Sequence, residues 1–366
     1  MTEQTAVLPE YTEVRDEDRF DTQALRDYLR ERLPGAERPL ELMQFRTGSS
    51  NLTYLLRLGR DEWVLRRPPR GPVAPTASDM AREYRILSRL WQGFYPAPRA
   101  MLFCEDPAII GAPFYIMERR KGVVVTLRQP FAPALLGHSP STYCAMAEAF
   151  IDTLADLHAV DYRAIGLGTF GKPAGFLQRQ ITGWMGRWEK AKTQEVPLMK
   201  KLADWFLEHQ PPSQPPVILH NDFYLHNVMF DDKFPGRIVA VLDWEMSSLG
   251  DPMIDLGTAL NYWRDPGDAP DHLALSEGYP HTAITPGMLR RDEMANRYAL
   301  RTGRDISAFP YYLALAYWKY ATVVEQLYLR FHRGMTTEPR FANYKKYAPV
   351  LAREAAKVAA PLGFRD

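Results

Sequence analysis

Cysteine is almost missing from this sequence: there are two in 366 residues, Cys104 and Cys144, far apart. That excludes a disulfide-stapled scaffold and matches no zinc-ligand spacing, so a reduced, cytoplasmic setting is the expectation. A dominant charge is also missing. The 45 Lys and Arg against 44 Asp and Glu leave a net +1, which gives no reason to expect nucleic acid or an anionic membrane as partner. No apolar run approaches the ~20 residues of a membrane span. The opening MTEQTAVLPEYTEVRDEDRF lacks the basic start and apolar core of a signal peptide, and residues 1–20 read as a loosely ordered arm. There is no internal repeat, and low complexity is limited to short proline clusters. What remains is an ordinary globular balance, 46% hydrophobic and 24% charged. The length exceeds the roughly 250–300 residues at which a single core stops growing, so two lobes are expected.

The most informative stretch runs from Val217 to Leu256. Two apolar runs, Val217–Leu219 and Ile238–Leu242, read as short strands, and each leads straight into polar residues. The first is followed by His220-Asn221-Asp222 and then Asn227; the second ends on Asp243. Asp222, Asn227 and Asp243 therefore fall on loops at strand ends, where a scaffold can aim them. Phosphoryl transfer needs these side chains: a carboxylate to accept the proton of the attacking hydroxyl, then an amide oxygen and a second carboxylate for magnesium. Their order is that of the protein-kinase His-Arg-Asp-x-x-x-x-Asn segment followed by a later Asp. Asn227 and Asp243 offer the hard oxygens that magnesium prefers.

With these residues the chain resembles the aminoglycoside phosphotransferase (choline kinase-like) family of small-molecule kinases. Within that family it looks most like the kinase-like domain fused to some acyl-CoA dehydrogenases. The matching pieces are LHNDFYLHNVMF, VLDWEMSSLGDPMIDLG and, upstream, WVLRRPP and EYRIL, so the likeness runs from about Met43 to about Arg330. Asn221 stands where the family usually has Gly, a mild departure because Asn tolerates the left-handed backbone conformation. His220 reads as a structural residue that orients the loop. The resemblance makes Asp255 a prop for the catalytic loop. Glu245 is open between a metal or substrate contact and a solvated carboxylate.

In chain order, Asp21 caps a helix from Thr22 to Arg32 that Pro34-Gly35 stops. Strands over Leu42–Phe45 and Leu52–Leu58 flank Gly48-Ser49-Ser50-Asn51, the layout of a nucleotide-covering hairpin whose backbone N–H groups can approach phosphates. Arg66, at the end of the strand Trp63–Arg66 and beside Arg67, falls where kinase-like folds carry a phosphate-binding Lys. Arg fits the dehydrogenase-fused subfamily, but it grips phosphate as a planar fork and not as a point charge. A stiff proline-rich connection follows. Glu83 lies on the next helix, capped by Ser78 or Asp79, and by resemblance steers the phosphate-binding cation. Strands over Ala100–Cys104 and Pro113–Met117 lead to Glu118 and Arg119, which resemble the hinge whose backbone holds the nucleotide base.

From Ser141 the pattern turns helical, with helices over Thr142–Ala159, Phe176–Lys192, Leu198–His209, Met288–Thr302, Phe309–Arg333 and Asn343–Ala360. His158 reads as a core histidine. A Pro- and Gly-rich stretch over Asp265–Pro286 reads as a flexible loop. The expectation is an α+β, bilobal protein kinase-like fold: an arm (1–20), a β-rich nucleotide-binding lobe (21–117) and a mainly helical catalytic lobe (118–366). By the resemblance, ATP lies between the lobes, with Mg2+ on Asn227 and Asp243 and Asp222 as the base for a small-molecule hydroxyl. The helical lobe shows no acidic cluster suited to a polycationic aminoglycoside. Trp184, Trp188, Tyr320 and neighbouring cations such as Lys319 suit an apolar or anionic acceptor, such as a hydroxylated acyl compound or another small metabolite. An aminoglycoside kinase and a non-catalytic, pseudokinase-like binding module are the alternatives. A protein kinase is disfavoured by the lack of an Ala-Pro-Glu-type segment after Asp243.

Overall fold

The computed structural model describes residues 10–46, 51–69, 79–125, 139–275, 285–336 and 338–365. Residues 1–9 of the arm, Gly48, Ser49 and Ser50 of the expected nucleotide-covering turn, the proline-rich connection over 70–78 and part of the long loop (276–284) lie outside them. The chain divides into two compact units, Met1–Lys121 with Leu242–Glu245, and Gly122–Val241 with Met246–Asp366.

The first unit is built on an antiparallel sheet. Its strands are β1 (Tyr11–Thr12), β2 (Leu40–Phe45), β3 (Leu52–Leu58), β4 (Asp61–Arg67), β5 (Ala100–Cys104) and β6 (Phe114–Glu118), in the order β1-β2-β3-β4-β6-β5. Two helices accompany them, α1 (Thr22–Leu29) and α2 (Met80–Leu90). Asp21 caps α1 by accepting from the N–H groups of Gln23 and Ala24, and Asp79 caps α2 by accepting from that of Arg82. Side chains alternate across a strand. One face of the sheet sends Tyr54, Leu56, Leu58, Leu65, Phe114 and Ile116 into a core with Leu25 and Leu29 of α1. Each such large apolar side chain contributes about 1.5–3 kcal/mol by leaving water.

The part of the arm within the described residues is ordered, against expectation. Tyr11 and Thr12 pair with Phe45 and Gln44. Buried Asp18 accepts a hydrogen bond from Gln44 Nε2 and an ion pair from Arg15. The composition of the arm is polar, but its polar groups find partners on the sheet edge.

The second unit is mainly helical: α3 (Pro140–His158), α4 (Phe176–Ala191), α5 (Pro197–Glu208), α6 (Pro252–Asn261), α7 (Pro270–Ala274), α8 (Arg291–Thr302), α9 (Phe309–His332) and α10 (Tyr347–Ala359). Among them lie β7 (Val123–Val124), β9 (Val228–Phe230) and β10 (Ile238–Val241) in one small sheet, and β8 (Val217–Leu219) with β11 (Ser248–Gly250) in another. The stretch beginning at Asp265 is not all loop: α7 forms there, and Arg291 ties Asp265 and Asp268 to the start of α8. No described helix is long and apolar enough to cross a membrane. A sheet-based unit followed by a mainly helical one is the α+β arrangement expected.

Helix α6, which carries Asp255, packs closely on α9. A Cβ on Gly257 would stand 2.5 Å from the carbonyl oxygen of Tyr312. In an open helix Gly→Ala stabilises by about 0.5–1 kcal/mol. Gly257→Ala is instead expected to destabilise by about 1–3 kcal/mol, as overpacking does. A lower denaturant midpoint at unchanged slope is the expected reading; a raised midpoint would refute the close approach.

Candidate active site

The first group of site residues is assembled by strand register. Arg66 on β4 stands opposite Tyr115 on β6, so both side chains leave the sheet on the face opposite the α1 core. Arg67, one residue on, turns the other way and donates to the carbonyl of Ile110. Glu83 of α2 is fully buried and meets Arg66 at 3.4 Å, while the Tyr115 hydroxyl donates to Glu83 Oε2 at 2.6 Å. The other arm of the Arg66 guanidinium reaches Asp243 Oδ1 at 3.4 Å. Asn51 completes the group, its amide donating to Glu83 and to Glu245 at 3.4 Å each.

Electrostatics follow the geometry. Burial disfavours the Arg66 cation, but Glu83, Tyr115 and Asp243 outweigh it and hold the guanidinium charged. Burial likewise pushes the Glu83 carboxyl above the ordinary carboxylate range, and Arg66 pulls part of that back. Arg66 is thus not a surface arginine; it is 9% exposed and paired on two sides. Glu83, Asp243 and Glu245 each bring a carboxylate oxygen within 4.8 Å of the others. Glu83 is engaged by Arg66 and Tyr115, whereas Asp243 and Glu245 are partly exposed. Converging hard oxygens of this kind fit Mg2+.

The second group lies on the loop after β8. Asn227 donates through Nδ2 to the backbone oxygen of Asp222 at 2.9 Å and to its carboxylate at 3.0 Å. That fixes the Asp222 side chain and leaves Asn227 Oδ1 as the atom able to take a cation. The loop is held from below by Asp255, which is fully buried. Its carboxylate accepts the backbone N–H of His220 at 2.5 Å and that of Asn221 at 2.6 Å. His158 supports Asp255 from the side at 3.4 Å and is itself bonded to the Tyr298 hydroxyl at 2.7 Å. It is a structural histidine, as its spacing implied. Lys319 of α9 donates to the carbonyl oxygen of Asn221 at 3.0 Å.

Asn221 and Asp243 share a further property. Among the described non-glycine residues they are the ones with positive φ, 64° each. Such backbone is uncommon outside glycine, is tolerated best by Asn and Asp, and concentrates at functional sites.

Glu118 and Arg119 do not join the Arg66 group. Glu118 pairs with Arg120 at 2.5 Å, and Arg119 bridges Glu10 and Glu62 at 2.8 and 2.7 Å. Tyr115 was not singled out by the sequence, because an aromatic residue in an apolar strand carries no signal of its hydroxyl partner. A second cluster, Asp268, His272 and Glu354, is buried in the helical unit. Burial and then the cations of Arg264, Arg291 and Lys357 push His272 down to about 2, so it is neutral there. These positive neighbours make the cluster a packed charge network.

Residues 41–293 match the model of the phosphotransferase enzyme family, APH. Mouse "Acyl-CoA dehydrogenase family member 10" is 32% identical over 362 residues, which is 98% of this chain and 33% of that protein. The chain thus spans a third of the length of that curated relative. Among solved structures, a Ralstonia eutropha protein provisionally named an aminoglycoside phosphotransferase is 31% identical, with a TM-score of 0.79 over 94% of this chain and 99% of that one. A thermostable mutant of aminoglycoside phosphotransferase APH(4)-Ia, in complex with AMP-PNP and hygromycin B, shares the fold at a TM-score of 0.56 and 17% identity, over 91% of this chain and 99% of that one. The fold is kinase-like, and the chain belongs to the APH phosphotransferase enzyme family.

Proposed function

We propose that the protein transfers the γ-phosphoryl group of ATP to a hydroxyl of a small metabolite, with Asp222 as the base. The observation that carries this reading is the Asp222–Asn227 pair, fixed at 3.0 Å on a loop whose backbone is clamped by buried Asp255. A carboxylate held in one place can orient an acceptor hydroxyl and take its proton, and positioning supplies much of the rate in such reactions. Arg66, steered by Glu83, grips the nucleotide phosphates; the turn around Gly48–Asn51 covers them, and the backbone at Glu118–Arg119 meets the base. Asn227 and Asp243 hold Mg2+, which when bound supplies positive charge to the phosphate oxygens. The Arg66 substitution was the one feature favouring a non-catalytic module. The ion pairs of Arg66 with Glu83 and Asp243 supply the steering a phosphate-binding cation needs.

The acceptor is a hydroxylated acyl compound or a similar small metabolite in preference to an aminoglycoside. Beside the Asp222 loop the helical unit presents the Lys319 ammonium, whose charge repels a polycation. Thermal unfolding with and without ATP and Mg2+ tests the nucleotide part. At about a hundredfold excess over Kd, binding adds about 2.7 kcal/mol, which raises the melting temperature by several degrees. Asp243→Ala is expected to abolish the magnesium-dependent part of the shift. An equal shift with EDTA, or an Asp243→Ala protein as responsive as wild type, would reject the metal assignment.

A further inference from the structure

Two cations sit on one indole beside the loop that carries Asp222. Arg187 Cζ lies 4.4 Å from the ring centroid of Trp184, and Lys319 Nζ lies 5.3 Å from it. Trp184 is itself locked: it is buried and its Nε1–H donates to Gln180 at 3.1 Å. Among the described residues neither cation forms an ion pair. Lys319 uses one donor on the Asn221 carbonyl, and an ammonium has three. Arg187 is exposed, and a guanidinium has five donors. The cavity under Lys319, bounded by Trp184, Ile254, Tyr312 and Leu315, admits little more than a single water. That cavity is too small for an acceptor's acid group.

We propose that Lys319 and Arg187 form an anion subsite over Trp184 that binds a carboxylate or phosphate carried by the acceptor. Like charges repel, and an anion bridging the two would offset that repulsion. Burial disfavours the Lys319 cation first, the Asp222 and Asp255 carboxylates restore part of it, and Arg187 opposes it again; a bound anion would offset both unfavourable contributions. Because Lys319 also holds the Asn221 carbonyl, an anion on its ammonium is anchored next to the loop that fixes Asp222. This rests on the phosphotransfer reading only for the identity of the anion's carrier; the anion subsite itself stands on the geometry of the helical unit.

The test uses the full chain and two series of probes, short-chain hydroxycarboxylates and sugar phosphates, each with matched neutral alcohols. Binding is followed by isothermal titration without nucleotide, and transfer by ADP release with ATP and Mg2+. One anionic series is expected to bind and to react with a KM at least about tenfold below its neutral match. Lys319→Met is expected to raise that KM by about ten- to a hundredfold more than it raises the KM of the neutral alcohols. Lys319→Arg, which keeps the charge, retains part of the preference. Arg187→Gln, at an exposed position that leaves the core intact, raises the same KM. Which series responds tells carboxylate from phosphate. Equal use of anionic and neutral acceptors, unaltered by Lys319→Met or Arg187→Gln, overturns the anion subsite while leaving phosphotransfer intact. A uniform fall in kcat on every acceptor at constant KM also overturns it, and assigns Lys319 to the loop alone. Anion binding that Arg187→Gln and Lys319→Met both weaken, without any ADP release, upholds the subsite and rejects the phosphotransfer reading.

Discussion

Replacing Asp222 by alanine is expected to lower turnover by about a hundred- to ten-thousandfold, the range for removing a positioned general base, with nucleotide binding intact. The side chain is held by Asn227 Nδ2 at 3.0 Å, and that same amide also holds the Asp222 backbone oxygen at 2.9 Å. The backbone contact survives truncation, so the loop keeps its course. The fall should therefore appear in kcat and kcat/KM together, as for an interaction made at the reacting atoms. Steady-state ADP release together with a magnesium–ATP titration checks it. Turnover unchanged from wild type would remove Asp222 from the mechanism, and lost ATP binding would make it a structural residue.

The largest expected effect on stability is at Asp255. Its carboxylate is fully buried and serves the N–H groups of His220 and Asn221 at 2.5 and 2.6 Å, with His158 at 3.4 Å. Asp255→Ala leaves those donors without an acceptor, at about 1–3 kcal/mol for each buried group. A loss of roughly 3–5 kcal/mol is expected, a large share of the about 5–15 kcal/mol that holds a typical protein folded. Chemical denaturation should show a much lower midpoint for Asp255→Ala and a midpoint near wild type for Asp222→Ala. The contrast separates the residue that supports the loop from the residue the loop exists to present. Equal midpoints for Asp255→Ala and wild type would contradict the clamp.

Much of this was legible in the sequence because the informative residues lie close together in it. Asp222, Asn227, Asp243 and Asp255 fall within one stretch, and the short strands before the first and third are continuous apolar runs. Asn221 in a left-handed conformation was readable from its type, and its φ is 64°. The strands β7, β9 and β11 were not readable, since two or three residues carry no periodicity to recognise. The ordered part of the arm escaped for a different reason: a polar segment folds when a neighbouring edge supplies partners, here Gln44 for Asp18. The same holds for the segment from Asp265, which Arg291 organises from 26 residues away. The pairing of Tyr115 with Glu83 and of Lys319 with Asn221 spans 32 and 98 residues. Such contacts are set by tertiary packing, which spacing along the chain does not encode.

The account stands most directly on transfer of phosphate from ATP to an acceptor. The measurement is incubation with γ-labelled ATP and Mg2+ against hydroxylated acids, hydroxyacyl thioesters, sugars and aminoglycosides, with wild type and Asp222→Ala side by side. The predicted result is label on a hydroxylated acid, thioester or other small metabolite with wild type, and a fall of at least about a hundredfold with the variant. Label confined to aminoglycosides would contradict the acceptor assignment, and label transferred equally by Asp222→Ala would contradict the central claim itself.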